Sequence, residues 1–174
     1  MPGPLDKIPR VDQINILGVT FSDTLKVNTH IDATISKCSA CLYALKVLRT
    51  QGIGKENLQH IFQSVITTRL LYAIPAWWGF ASAHDKHRLQ AFMDRSVKFG
   101  FCDRGSSNIE VKTASAHVKL FEKIQSNRQH VLHKFLPPPH SHDYALRPRR
   151  HSFCAPVLTS HTMKGFFGRL LHDI

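Results

Sequence analysis

Three blocks of apolar residues at three- and four-residue spacing, each stopped by glycine or proline, constrain this chain more than any other feature. Ile31, Ile35, Cys38, Leu42, Leu45 and Leu48 form the first stripe, and Gly52 and Gly54 close it. Leu58, Ile61, Phe62, Val65, Ile66 and Leu70 form the second. It should stop between Tyr72 and Pro75, because proline has no amide proton to continue a helix. Leu89, Phe92, Met93 and Val97 form the third, started by Ser82-x-x-Asp85 and ended near Gly100. Thr29-x-x-Asp32 has the form of a capping box for the first helix, with the shorter acid. Amphipathic helices joined by short connections pack antiparallel, so the spacing predicts a small bundle.

The flanks are different in kind. Residues 1–12 carry three prolines and read as an extended lead-in with the look of a cut end. Ile14 and Ile16 alternate, and Val19 and Phe21 alternate on the other parity with Leu17. This predicts a short strand over Ile14 to Phe21 with a bulge or close backbone approach at Leu17-Gly18. Asp23-Thr-Leu-Lys26 reads as a turn, leading to a second short strand or directly towards the first helix. Beyond the polar break at Asp103 to Asn108, Val118, Phe121, Ile124, Val131, Leu132 and Phe135 predict a fourth, longer and more basic helix, which Pro137-Pro-Pro stops. A basic extended segment follows from Tyr144 to Phe153, and a short helix from about Thr162 carries Phe166, Phe167, Leu170 and Leu171.

The expected fold is therefore mainly α: a small helical bundle with a short N-terminal β element and an extended basic C-terminal tail. Its expected parts are residues 1–28 (lead-in and strand), 29–103 (a three-helix body), 104–136 (the long basic helix) and 137–174. The last comprises a proline-rich linker, the basic segment and the terminal short helix.

Charge narrows the partners. The chain has a net charge of +11, unevenly placed: up to His87 there are nine Lys/Arg against six Asp/Glu, and from Arg88 onward fourteen against six. Such an excess favours a polyanion, usually nucleic acid, through phosphate neutralisation and counterion release; a basic but inert surface is the alternative. No apolar run approaches the roughly 18 residues a membrane span needs, and the N-terminus lacks the basic and apolar regions of a secretory signal. An intracellular setting is expected.

Catalytic constellations are scarce. Metal-assisted nucleotidyl transfer needs carboxylates converging on paired divalent ions. The chain has no Asp-Asp pair, and its acids are scattered. A phosphate-cradling glycine loop and a nucleophile elbow are absent too. Cys38-x-x-Cys41 and His130-x-x-His133 have metal-like spacing, as does His140-x-His142, yet a closed zinc site needs four compact ligands, so core and surface roles are preferred. A small histidine-based metalloenzyme stands as a third reading, behind the two given below. Trp77-Trp78 could stack on bases, although tandem aromatics after a helix more often close a core. The best site signal is Arg147, Arg149, Arg150 and His151, bracketed by Tyr144 and Phe153, which fits phosphate contacts with a stacking contact beside them.

Ile14-Asn-Ile-Leu-Gly-Val-Thr-Phe21 resembles the apolar-Leu-Gly strand that follows the palm in reverse transcriptases of LINE-type (non-LTR) retrotransposons, a counterpart of the primer grip. His30-Ile31, Cys41-Leu-Tyr-Ala-Leu-Lys-Val-Leu48 and Ser64-Val-Ile-Thr-Thr-Arg-Leu-Leu-Tyr72 with a tryptophan beyond it extend the resemblance to the thumb and connector of the jockey-like branch. Leu120-Phe-Glu-Lys-Ile124, Asn127, His130-Val-Leu-His133, Tyr144-x-Leu-Arg-x-Arg-x-His-x-Phe153 and Phe167-x-Arg169 are similar to that family's C-terminal segment.

The resemblance implies the template-primer-holding part of an RNA-directed DNA polymerase, without endonuclease, fingers or catalytic palm. It implies that Leu17 and Gly18 lie near the primer end, and that RNA or DNA template-primer and the missing palm and fingers are the partners. The setting would be a nuclear or cytoplasmic ribonucleoprotein. It implies no cofactor in this chain, Mg belonging to the palm, and no enzymatic activity of the chain by itself. Lys37, Lys46, Arg49 and Arg69 are expected phosphate contacts by helical geometry. The alternative is a relic or repurposed helical module that makes only protein contacts.

Overall fold

The computed structural model describes residues 9–138, 153–154, 159 and 163–173. Its elements are mainly helices preceded by a two-stranded antiparallel sheet, the mainly α fold with a short N-terminal β element that the sequence predicts. By chain contacts they sort into two compact units, one from Met1–Tyr72 and Phe80–Asn108 and the other from Ala73–Gly79 and Ile109–Ile174.

In the first unit, β1 (Gln13–Ile16) and β2 (Val19–Ser22) pair with Ile14 opposite Phe21 and Ile16 opposite Val19. The expected single strand with a bulge is thus a hairpin. The change of parity at Leu17-Gly18 is its two-residue turn, with φ of 49° at Leu17 and 85° at Gly18. Positive φ at both central positions is the type I′ geometry whose twist matches paired strands. Glycine adopts it without penalty, whereas Leu17 adopts it against side-chain sterics. The Asn15 side chain accepts from the Gly18 amide at 3.0 Å and donates to Thr20 Oγ1 at 3.2 Å, tying the turn to its strands.

The turn after β2 is closed by Ser22, whose Oγ accepts from the Lys26 amide at 3.0 Å. It delivers the chain into α1 (Asn28–Thr50) one residue before Thr29. Thr29 therefore lies inside the first turn, and the expected capping box does not form; Val27 is the N-cap and makes no side-chain cap bond. Asp32 instead pairs with Arg88 at 2.6 Å. The glycine stops do form: Gly52 N donates to Arg49 O and Ile53 N to Leu48 O, the paired bonds of a Schellman ending.

The second stripe folds as α2 (Lys55–Ile61), a π-helical turn (Phe62–Thr67) and α3 (Thr68–Leu70). The chain leaves the helix over Leu71 to Ala73, ahead of Pro75, as expected. The third stripe is α5 (Ala83–Lys98), after a short α4 (Ile74–Trp77) that belongs to the second unit. Ser82 caps α5 as predicted, its Oγ accepting from the Asp85 amide at 3.1 Å. Another Schellman ending closes it, with Gly100 N to Val97 O and Phe101 N to Ser96 O. The first unit's core is Ile31, Cys38, Leu42 and Leu45 of α1, Leu58, Phe62, Ile66 and Leu70 of the second stripe, and Leu89, Phe92 and Met93 of α5.

In the second unit, α6 (Ile109–Ser126) is shorter than the helix expected to run on to Pro137. Asn127 ends it first: its side chain accepts from Gln129 N at 2.9 Å, and local turns with a 3₁₀ segment at His133–Phe135 follow. An asparagine that hydrogen-bonds its own backbone competes with the helix ladder, a stop the apolar spacing does not register. Phe121 packs with Leu170 and Leu171 of α7 (Phe166–Asp173), and Leu136, Phe153, Phe166 and Phe167 cover that cluster. Arg169 donates to Pro75 O at 3.1 Å, and a Cβ at Gly79 would collide with the Lys164 carbonyl. Trp77 and Trp78 are buried, so both serve the core and neither presents a face for bases.

Candidate nucleic-acid interface

In the first unit, α1 and the π-containing helix run side by side beneath the hairpin tip and leave an open cavity of about 480 Å³. From α1 come His30, Thr34 and Lys37, at helical spacing on one face. Ser64, Val65, Thr68 and Arg69 come from the second helix, and Gly18 and Tyr72 form the wall under the turn. No acid lines it. Lys37 and Arg69 form no ion pair among the described residues.

The π turn shapes this wall. Ser64-Val-Ile-Thr-Thr68, the last four residues of that turn and the one after it, is rich in β-branched and hydroxyl residues that disfavour a regular α-helix. The widened turn loosens the backbone ladder, and hydroxyls fill in. Ser64 Oγ donates to His60 O at 2.9 Å, and Thr68 Oγ1 donates to Gln63 O at 3.3 Å. Tyr72 donates its phenol proton to Leu17 O at 3.0 Å, fixing the hairpin tip to the end of the second helix. Gly18 sits against the same ring. Leu17 itself is 86% exposed.

Electrostatics follow from burial. His30 is buried, and its pKa lies below the ordinary histidine value because burial disfavours the imidazolium and Lys37 adds like charge. Cys38 lies deeper; burial pushes its thiol up to about 11, against a smaller opposing pull from Arg69. Arg69 also donates to Cys41 Sγ at 3.4 Å. Cys38 is thus a neutral core thiol. Among the described residues no three His, Cys, Asp or Glu side chains come together as a metal-holding group. Likewise no helix among them is long and apolar enough to cross a membrane.

Of the residues singled out from sequence, Gly18, Lys37 and Arg69 meet at this cavity, with Leu17 at the tip above it. Lys46 and Arg49 do not reach it. Lys46 Nζ lies 3.5 Å over the Phe99 ring, and Arg49 donates to Phe99 O at 2.8 Å with its guanidinium 5.1 Å from the Phe101 ring. Both therefore clamp the end of α5. Arg147, Arg149, Arg150 and His151 lie outside the described residues, as do Tyr144, His140 and His142. Phe153, at one end of that basic segment, sets its ring 6.1 Å from Phe121 in the second unit's core.

Sequence reasoning missed His30, Thr34, Ser64, Thr68 and Tyr72 as lining residues. The run of poor helix formers at Ser64 to Thr68 was the available signal. Compared with protein-family models, curated proteins and solved structures, the chain matches none.

Proposed function

We propose that this chain is the template-primer-holding thumb and C-terminal segment of a LINE-type RNA-directed DNA polymerase, inactive by itself. Metal-dependent nucleotidyl transfer then belongs to a palm and fingers outside these residues. The carrying observation is the acid-free cavity where Lys37 and Arg69 lie beneath a hairpin tip. Two cations on neighbouring helices suit backbone phosphate, which positions a strand without reading its sequence. The exposed Leu17 adds to this. An apolar residue in left-handed backbone at a solvent-exposed tip is a strained feature of the kind that gathers at functional sites.

The test is a salt titration with an RNA–DNA template-primer duplex. Binding should weaken linearly in log–log form, with a slope of about −0.9 for each phosphate contact. Salt-independent binding, or none, contradicts the reading.

One observation favours the protein-contact alternative. β1 is an edge strand in a two-stranded sheet, and Ile14 and Ile16 on it are half exposed. Size-exclusion chromatography separates the readings: oligomers that dissociate on adding duplex favour nucleic acid, and oligomers indifferent to it favour protein contacts.

A further inference from the structure

The cavity's lining combines three chemistries. Lys37 and Arg69 supply cations. Ser64 and Thr68 have given their hydroxyl protons to backbone carbonyls, so what they offer a ligand is lone pairs. Tyr72 offers an aromatic ring, oriented by its bond to Leu17 O. Along α1, Lys37 and His30 lie seven residues apart, about 10 Å at the helical rise of 1.5 Å per residue.

A lone phosphate would engage the cations and leave the acceptors and the ring unused. A base within a duplex is stacked and paired, so it cannot enter a cavity. An unpaired nucleotide carries all three complements: an anionic phosphate, donor groups on sugar or base, and a π face. The volume lies in the ordinary range for small-ligand sites.

We propose that this cavity receives one unpaired nucleotide, its phosphate at Lys37 and Arg69, its sugar or base donors at Ser64 and Thr68, and its base against Tyr72. The assignment rests on the reading of this surface as a nucleic-acid interface. It goes further by giving that interface a pocket for a single residue of a strand. Two sources carry this chemistry, a strand terminus and a free nucleoside monophosphate.

The test titrates the full chain with a blunt duplex, and with the same duplex bearing one unpaired 5′-phosphorylated nucleotide. The overhang should bind roughly tenfold tighter, the scale of one base–aromatic stack. Tyr72→Leu should abolish that preference, while Tyr72→Phe, which keeps the ring, retains it. Equal binding of the two duplexes by the unaltered chain, or a preference that survives Tyr72→Leu, overturns the pocket while duplex binding stands. No binding to either probe overturns the interface and the pocket together. Where the preference holds, adenosine monophosphate that displaces the overhang identifies the free nucleotide as a sufficient ligand. Failure to displace it identifies the strand terminus.

Discussion

Lys37 and Lys46 lie on the same helix, α1, yet meet opposite surroundings. Lys37 faces an open cavity with Arg69 and no acid beside it, whereas Lys46 rests on the ring of Phe99, next to Arg49 and the carbonyl it grips. The N-terminal half of α1 thus leaves its cation available to an outside anion. The C-terminal half uses its cations to close the bundle. Helical position alone cannot distinguish these roles; the neighbouring element does. A π turn and the hairpin tip line the cavity at one end, and aromatic residues around a Schellman ending make a clamp of the other.

The harshest way to break the comparison is to remove what both ends share. Leu42 is buried between them, and Leu42→Ala should cost about 2–5 kcal/mol through lost burial and a cavity. Chemical denaturation should show both ends lost in one transition. Two separated transitions would mean that the ends are independent.

A milder variant sharpens it. Lys46→Gln with Arg49→Gln removes two cation–aromatic contacts and a hydrogen bond at a partly exposed site, worth about 1 kcal/mol, or a fall in Tm of about 3 °C. Thermal unfolding checks this, and unchanged Tm would dissolve the clamp.

At the other end, Gly18→Ala should cost roughly 1 kcal/mol for placing a Cβ on left-handed backbone. The contact of that Cβ with Tyr72 Cε1, at 3.5 Å, is ordinary, so the penalty comes from the backbone and not from a clash. Urea denaturation measures it, and a neutral substitution would argue against the type I′ turn.

The smallest effect concerns pH. His30 has a folded pKa below the ordinary 6.5, so on acidification the unfolded chain takes up the proton first. Its contribution to stability is complete above 6.5 and declines as pH falls through that value towards the lower folded one. His30→Gln should flatten the dependence of stability on pH as it falls below 6.5, and an unchanged slope would place the titrating group elsewhere.

Much of the fold was legible because it rests on periodicity and stop signals. The stripes at Ile31 to Leu45, Leu58 to Leu70 and Leu89 to Met93 are the core, and Ser82, Gly52 and Gly100 act as their spacing and chemistry predict. Errors arose where local hydrogen bonding or turn chemistry outweighed spacing. Leu17-Gly18 turned the chain where a bulge or a close backbone approach was expected, because apolar leucine is not a usual turn residue. Asn127 cut α6 short, and Thr29 lost its capping role when the Ser22 turn started the helix earlier.

The candidate site was half legible. Lys37 and Arg69 follow from charge and face, but the cavity between them is lined in part by a π turn, and Tyr72 is tied there by a bond to a residue 55 positions earlier. Helical periodicity carries no information about such a pairing. Lys46 and Arg49 carry the same charge as the site pair. Only the fold reveals Phe99 and Phe101 beneath them.

The most direct test compares salt dependence of duplex binding for two double variants against the unaltered chain. Lys37→Gln with Arg69→Gln should lower the magnitude of the log–log slope by about 2, at about 0.9 per lost phosphate contact, while Lys46→Gln with Arg49→Gln leaves it unchanged. Equal slopes for all three proteins, or a loss confined to the Lys46 and Arg49 variant, would contradict the assignment of the cavity end of α1 as the nucleic-acid interface.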